Sequence, residues 1–466
     1  MDLTPRFMTR LFLLPALLSM VHYGAGQAIL PPAGPLTVAA FTSAADTTIR
    51  PRFKRAAFQL GLAELIPFTV DRYIRNVDYA HISFGSVGHN LMPSSWSWDD
   101  DAFGTNQFAH PYHGSQFFSA FRANGYSFWQ AAPATLAGSY IWETVAEKQY
   151  PAPNDFINTS FGGIVLGEMT YRLSNQIVNN HTRGFKRQFS EILALMVNPM
   201  NGFNRILDGK WGKVDRNTRE RDSTQVNAEF DIGARRFSAD HHGKTAVYGH
   251  IRLLYGTPFE NYRTPFSNIS INGEFSSDDS SKVNMVSVYG SLAGWWIHES
   301  LHGRHLATLS ANYDYIHNEA FFYSAQSVKV NLFSEFNAGR KLRVTSAAGG
   351  GPVLLAAVPD QYLFKGRNYD YTAGGGVYAN IGITVLDHFF YRLNYRGGLL
   401  KTINGNQSHY ALQALTSEFG YRFRGQLSVC AEPGYFYLHG FYKQYDDVMA
   451  KYPYIRLSMR YSVDFH

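Results

Sequence analysis

Tyr452-Pro-Tyr-Ile-Arg-Leu-Ser-Met-Arg-Tyr-Ser-Val-Asp-Phe465-His466, the last stretch of the chain, alternates in a strict period of two. Ile455, Leu457, Met459, Tyr461, Val463 and Phe465 share one face of a strand, and Arg456, Ser458, Arg460, Ser462 and Asp464 share the other. The same pattern returns upstream. Ala228, Phe230, Ile232 and Ala234 interleave with Glu229, Asp231 and Arg235, and Ile269, Ile271 and Phe275 with Ser270, Asn272 and Glu274. Leu309, Ala311, Tyr313 and Tyr315 alternate with Thr308, Ser310, Asn312 and Asp314, and Phe389, Tyr391, Leu393 and Tyr395 with Arg392, Asn394 and Arg396. In a dry core each charge on the second face would lose its hydration without an assured partner. A wet lumen removes that cost. The pattern therefore predicts a mainly β fold, with a C-terminal antiparallel transmembrane β-barrel of about 12 strands over residues 222–466.

The final strand also resembles the assembly signal of bacterial outer-membrane proteins, carried here by Arg456, Ser458, Tyr461, Val463 and Phe465. Ser458 stands where glycine is usual in that signal, and His466 follows the closing aromatic residue. The resemblance implies the bacterial outer membrane as the location. Outer-membrane lipid would surround the oily face, and the barrel-assembly machinery would be the partner of the last strand. At the other end, Arg6 and Arg10 precede the apolar run from Leu11 to Val21, and small residues follow at Gly24, Ala25, Gly26 and Ala28. This pattern predicts a secretory signal peptide over residues 1–28. Its apolar core is too short for a membrane-spanning helix, and no later segment holds the roughly 18 apolar residues that one needs.

Hydrophobic side chains make up 45% of the 466 residues, and 30 residues are tyrosine, whose apolar ring and polar tip suit a lipid–water boundary. The formal charge of +6 is spread along the chain and forms no basic stripe, so no nucleic-acid partner is expected. A single cysteine, Cys430, excludes an internal disulfide framework and a multi-thiolate metal cluster; it reads as a small buried or lumenal residue. Gly374-Gly-Gly376-Val-Tyr-Ala379 fits a dinucleotide fingerprint nominally, but it lies in a strand pattern without the strand–turn–helix setting that binding needs.

Ahead of the barrel, residues 29–55 read as a flexible lead-in and residues 56–215 as a helical domain. A helical pattern runs from Arg55 to Asn76, with Pro67 expected to bend it. Residues 77–112 read as irregular; helices follow from near Gly114, from Ser127 to Glu147, from Pro153 to Ile177 and from Phe185 to Val197. Gly162 and Gly167 inside the third of these predict a close approach of another backbone, since glycine otherwise destabilises a helix. The domain is expected to plug the lumen or to cap its periplasmic mouth.

Asn106-Gln-Phe-Ala-His-Pro-Tyr-His-Gly-Ser115, Ala123-Asn-Gly-Tyr-Ser-Phe-Trp129, Trp142-Glu143, Asn154-Asp155, Gly162-Gly163, Gly167-Glu168 and Tyr171-Arg172 carry a second resemblance. With Asn198-Pro199 and Gly202-Phe-Asn-Arg205, they are similar to the bacterial family called domain of unknown function 3943, over residues of about 96–205. The resemblance implies a bacterial envelope protein and assigns no catalytic role.

Read chemically, the same stretch holds the candidate site residues. His110 and His113 with Asp101, Glu143 and Glu168 could hold a divalent metal or form a general base with its orienting acid. Ser115 is the candidate nucleophile of a lipid hydrolase or acyl-transfer enzyme. The structural alternative is preferred. Pro111 and Gly114 would shape a turn, Ser115 would cap the helix that follows, and Glu143, Glu168 and Arg172 would join helices. No metalloenzyme helix motif and no nucleophile elbow is present in the sequence, and no cofactor is predicted. The expected function is non-enzymatic, in envelope integrity or small-molecule passage. The alternative is an envelope-lipid-modifying enzyme with a histidine and acid site in the helical domain.

Overall fold

The computed structural model describes residues 50–214, 224–238, 245–277, 281–300, 303–338, 341–423 and 425–465. The expected signal peptide, most of the lead-in and His466 lie outside them. Twelve strands form one closed antiparallel barrel in which β1 (Val226–Phe237) pairs with β12 (Val448–Phe465). Between them run β2 (Thr245–Tyr255), β3 (Ile269–Ser276), β4 (Val283–Ser300), β5 (Gly303–His317), β6 (Phe322–Ala338) and β7 (Leu342–Phe364). They are followed by β8 (Arg367–Val385), β9 (Phe389–Asn404), β10 (Ser408–Arg422) and β11 (Leu427–Tyr442). Each strand pairs with its sequence neighbours, so the barrel is an up-and-down meander without crossovers.

Ion pairs between non-adjacent strands fix which face is the inner one. Arg392 of β9 reaches Glu229 of β1, and Arg396 of β9 reaches Asp314 of β5. The charged faces read from the sequence are therefore lumenal. The apolar faces point outwards, as on Ile455, Leu457, Met459 and Tyr461 of β12, each about half exposed. Gly374–Gly376 lie within β8, and Cys430 is buried on the lumenal face of β11.

Outward aromatic rings gather near both rims. At the rim where β1 begins and β12 ends, Phe389 packs on Tyr421 and Tyr391 on Phe419. At the opposite rim, His439 and His409 pack on Phe441. From Val429 to Phe441 on β11 the wall between these groups is about 30 Å tall, at about 3.3 Å per residue and a tilt of about 40°.

The helical region comprises α1 (Phe53–Thr69), α2 (Phe84–Asn90), α3 (His110–Arg122), α4 (Phe128–Ile141), α5 (Pro153–Ile157), α6 (Gly163–Val178), α7 (Phe185–Val197) and α8 (Pro199–Leu207). Single π-helical turns extend four of the helical runs: Val70–Ile74 after α1, Thr105–Ala109 before α3, Trp142–Ala146 after α4 and Asn158–Gly162 between α5 and α6. Helix α1 passes through Pro67 before its π turn. The stretch expected to be irregular holds α2, capped by Ser83 and Ser86, and the chain is already helical ahead of Gly114. Pro111 stands just past the join of the π turn Thr105–Ala109 with α3, so its missing N–H removes one bond from a continuous helical run.

Gly162 and Gly167 are closely packed, but against the Pro111 and Phe118 side chains; within the helices another backbone comes closest at Gly114 and Gly163. A Cβ added to Gly114 would stand 1.9 Å from the Thr159 carbonyl oxygen, and one on Gly163 would stand 2.5 Å from the Gly114 carbonyl carbon. Helix α3 and the run from α5 into α6 thus touch backbone to backbone.

The helices neither plug the lumen nor cap it. They stand against the outer wall. Phe103, Phe118, Phe128, Val165 and Leu166 form one core with outward residues of β1 to β5, β7 and β8, among them Val226, Ile269, Val288, Tyr313, Leu355 and Tyr371. These outward residues follow the sheet register, as in the row Ile271, Val288, Tyr313, Gln326 and Leu355. The physical reason is in the two surfaces: the lumen is occupied by the barrel's own side chains, whereas this part of the outer wall offers large rings to pack on. Arg172 near the end of α6 donates to the Pro265 carbonyl at the rim where β2 ends, and Asn154 at the start of α5 reaches Tyr371 at the opposite rim. The run Pro153–Val178 therefore lies along the barrel's height, about 39 Å long at about 1.5 Å per residue.

Candidate functional site

The lumen carries the densest charged cluster among the described residues. Arg460 of β12 lies at its centre, with Nε donating to Asp231 Oδ1 at 2.7 Å and Nη2 to Glu418 Oε2 at 2.7 Å. Arg392 Nη2 donates across the lumen to Glu229 Oε1 at 2.6 Å, and Arg252 Nη1 donates to Glu229 Oε2 at 2.6 Å. His250 Nδ1 lies 3.1 Å from Asp231 Oδ2. Next along the lumen, Glu274 sits between Arg235 and Arg456, and Arg456 Nη1 also donates to Glu432 at 2.8 Å. A third group joins Arg396, Asp314 and Ser287, at 3.0 Å from Arg396 Nη1 to Asp314 Oδ1.

Toward the rim opposite the sheet termini the lumen turns apolar. Phe321, from the turn between β5 and β6, stacks on Phe436 at 5.9 Å and packs on Tyr452 at 6.1 Å, with Leu400, Tyr410 and Leu438 in the same cluster. Asp370 and Asp360 are held there by the Tyr410 and Tyr442 hydroxyls, which donate at 2.8 and 2.9 Å. Alternation in the sequence identifies these inward faces, but not which charge meets which. That pairing depends on barrel closure, which sets β9 opposite β1 and β5.

The residues singled out in the helical region fall into separate environments. His110 Nε2 is 3.7 Å from Asp155 Oδ1, and its Nδ1 is 3.3 Å from Thr159 Oγ1. His113 donates from Nε2 to the Ala63 carbonyl at 2.9 Å, and its ring packs on Phe117 and Trp142. Ser115 is inside α3 and caps nothing. Its hydroxyl donates to the Tyr112 carbonyl at 2.6 Å, a bond within its own helix that keeps it from His113. Glu168 is wholly buried and takes Arg122 Nε at 2.7 Å and Arg172 Nε at 2.8 Å. Glu143 accepts from the Ala152 N–H at 3.0 Å, tying the end of α4 to the segment before α5. The Asp101 carbonyl accepts from the Tyr369 hydroxyl at 2.8 Å.

Among the described residues no group of three or more His, Cys, Asp or Glu side chains is arranged to hold a metal ion. The structure instead brings together a polar knot between the helices and the outer wall, one that sequence reading did not pick out. Asn106 Nδ2 and Asn154 Nδ2 donate to the Tyr371 hydroxyl at 2.8 and 2.9 Å, and both also reach Asp99 Oδ1. The signal available in the sequence was the outward tyrosine itself. Beside the knot, burial pushes the Glu147 carboxyl up to about 7, against the opposing effect of the Trp142 indole N–H that donates to it at 2.6 Å.

A closed barrel with an apolar, aromatic-rimmed outer wall and a charged lumen is the architecture of the bacterial outer membrane, and this is an outer-membrane protein. Residues 95–200 match the family described as Domain of unknown function (DUF3943). The matched region covers the seat of the helices on the wall, from the segment before Trp98 to the start of α8. No curated protein matches the chain. Similar solved structures include the NanC porin at 11% identity, over 50% of this chain and 98% of that one, with a TM-score of 0.29. The KdgM porin is similar at 14% identity, over 51% and 99%, with a TM-score of 0.23. The COG4313 outer membrane channel from Pseudomonas putida F1 is similar at 11% identity, over 52% and 95%, with a TM-score of 0.30.

Proposed function

We propose that this protein is a non-enzymatic outer-membrane channel for small polar solutes, gated by the ion pairs that cross its lumen. Lipid surrounds the bare outer wall, the barrel-assembly machinery recognises β12, and nucleic acid is not a partner. The observation that supports passage is the exposure of lumenal charge. The Arg396 side chain is 51% exposed although it points into the barrel, so space for solvent lies beside it. Arg252, Arg392 and Arg396 are each paired with a carboxylate, so the lumen presents both signs of charge and would favour polar, hydrogen-bonding solutes over apolar ones. The crossing pair of Arg392 with Glu229 narrows that path, and the rings around Phe321 narrow it again.

The enzyme alternative has weaker support, since Ser115 and His113 bond to different backbone carbonyls and His110 pairs with Asp155 instead. Single-channel recording in planar bilayers tests the proposal. Conductance should rise in Arg392→Gln and in Phe321→Ala relative to the unmodified protein. Conductance that stayed at the bilayer background in all three proteins would overturn it. An envelope-lipid profile that changed on overexpression, and reverted with His113→Ala, would favour the enzyme.

A further inference from the structure

The helical bundle has its charges inside and its apolar side chains outside. From Ala102 to Trp142 the chain carries one formal charge, Arg122, apart from His110 and His113. From Phe156 to Thr182 it carries two, Glu168 and Arg172, apart from His181. These three charges meet in one buried cluster, where Glu168 takes both guanidinium groups. From Ala56 to Val70 the only charge is Glu64, whose carboxylate oxygens are both out of contact with solvent.

The outer surface of the same helices presents Phe58, Leu65, Leu136, Tyr140, Phe161 and Met196, all exposed. A water-soluble bundle has the reverse arrangement, with charge on the outer face and an apolar stripe within. A continuous apolar exterior of this extent marks a membrane or a partner. Paired polar groups and close-set glycines inside the bundle are the means by which helices associate in lipid, and Gly114 against Gly163 supplies that contact here.

Exposed charge returns only at the two ends. Arg52 and Arg55 pair with Asp208 at one end, and Arg75 pairs with Asp71 and Lys148 with Asp78 at the other. Among the described residues no helix is long and apolar enough to cross a membrane alone. The bundle does not require one, because each helix turns its polar side to its neighbours or to the barrel.

We infer that the helical bundle is embedded in the outer membrane beside the barrel, with acyl chains as the occupant of its exposed face. Its apolar surface continues the bare barrel wall around the same bilayer, and the charged ends of the bundle lie near the two rims. The inference rests on the reading above that the bare wall of β9–β12 faces lipid. It goes beyond that reading by placing helices, as well as strands, in the hydrocarbon layer.

Nitroxide labels on the full-length protein in liposomes test it. In a Cys430→Ala background, labels at Phe58→Cys, Leu136→Cys and Phe161→Cys are compared with Leu399→Cys on the bare wall and Arg183→Cys in a connecting turn. Accessibility to oxygen and to a water-soluble nickel chelate is read by electron paramagnetic resonance. The three bundle labels should favour oxygen over nickel as Leu399→Cys does, and Arg183→Cys should favour nickel. Bundle labels that behaved as Arg183→Cys would place the helices in water and overturn the inference. Labels shielded from both reagents would overturn it too, by showing a second copy or a partner protein on that face. A nickel-accessible Leu399→Cys would instead sink the lipid reading of the barrel itself.

Discussion

Tyr313 on β5 and Leu457 on β12 both point away from the lumen of one closed sheet, yet Tyr313 is wholly buried and Leu457 is 56% exposed. The wall around Tyr313 is covered by the helices and the wall around Leu457 is bare. Their chemistry differs accordingly. The covered wall presents hydroxyls and amides: the Tyr313 hydroxyl donates to the Gln107 carbonyl at 2.6 Å, and Ser324 and Gln326 are buried beside it. The bare wall presents Leu399, Ile455, Leu457 and Met459, which carry no hydrogen-bonding side-chain group. Hydrocarbon cannot satisfy a polar atom, and the Tyr313 hydroxyl finds its acceptor on the helical segment that covers it.

The largest expected effect comes from breaking the cover at its ionic centre. Glu168→Ala leaves Arg122 and Arg172 buried and facing one another without the carboxylate between them. A loss of about 3–5 kcal/mol is expected, from uncompensated buried charge. Urea unfolding of the liposome-inserted protein would measure it, and a loss below about 1 kcal/mol would mean that water reaches the cluster. Gly114→Ala should follow. Its Cβ collides with the Thr159 carbonyl, and prying α3 from the π turn Asn158–Gly162 should cost about 1–3 kcal/mol. Tyr371→Phe removes the hydroxyl to which Asn106 and Asn154 donate, but both amides keep Asp99 as an acceptor. A loss of about 1 kcal/mol is expected in the same unfolding assay. A neutral result would show that the knot does not fasten the helices to the wall.

Much of the barrel was legible because alternation is a local signal. Glu229, Asp231, Arg392, Arg396 and Arg460 could be placed on the inner face from their neighbours alone, and the strand number followed from counting such runs. The seat of the helices was not legible. Phe118 and Val165 give the same helical periodicity whether they pack on a lumen, a rim or an outer wall, so plug and cap were the expectations that the sheet register overturned. The reading of Ser115 as a helix cap failed for a related reason. The π turn Thr105–Ala109 already carries the helix ahead of it, and inside the helix its hydroxyl turns back to the Tyr112 carbonyl. The exposed apolar exterior of the bundle was partly legible, since forty residues nearly free of charge beside a barrel are already unusual for a domain in water.

The smallest effect, that of Leu457→Ala, sharpens the comparison most when it is set beside Ile269→Ala on the covered surface. Ile269 on β3 is wholly buried under the helices, whereas Leu457 is bare. Ile269→Ala leaves a cavity between two packed protein surfaces and should cost about 2–5 kcal/mol. Leu457→Ala leaves no cavity, because acyl chains flow into the space, and exchanging one hydrocarbon contact for another brings no hydrophobic penalty. Its cost in the same liposomes should stay below about 1 kcal/mol. If Leu457→Ala matched Ile269→Ala, the bare wall would be covered as well, and a second copy of the chain would be the first candidate for the cover. If Ile269→Ala were as mild as Leu457→Ala, the helices would lie too loosely on the wall to exclude lipid from the interface.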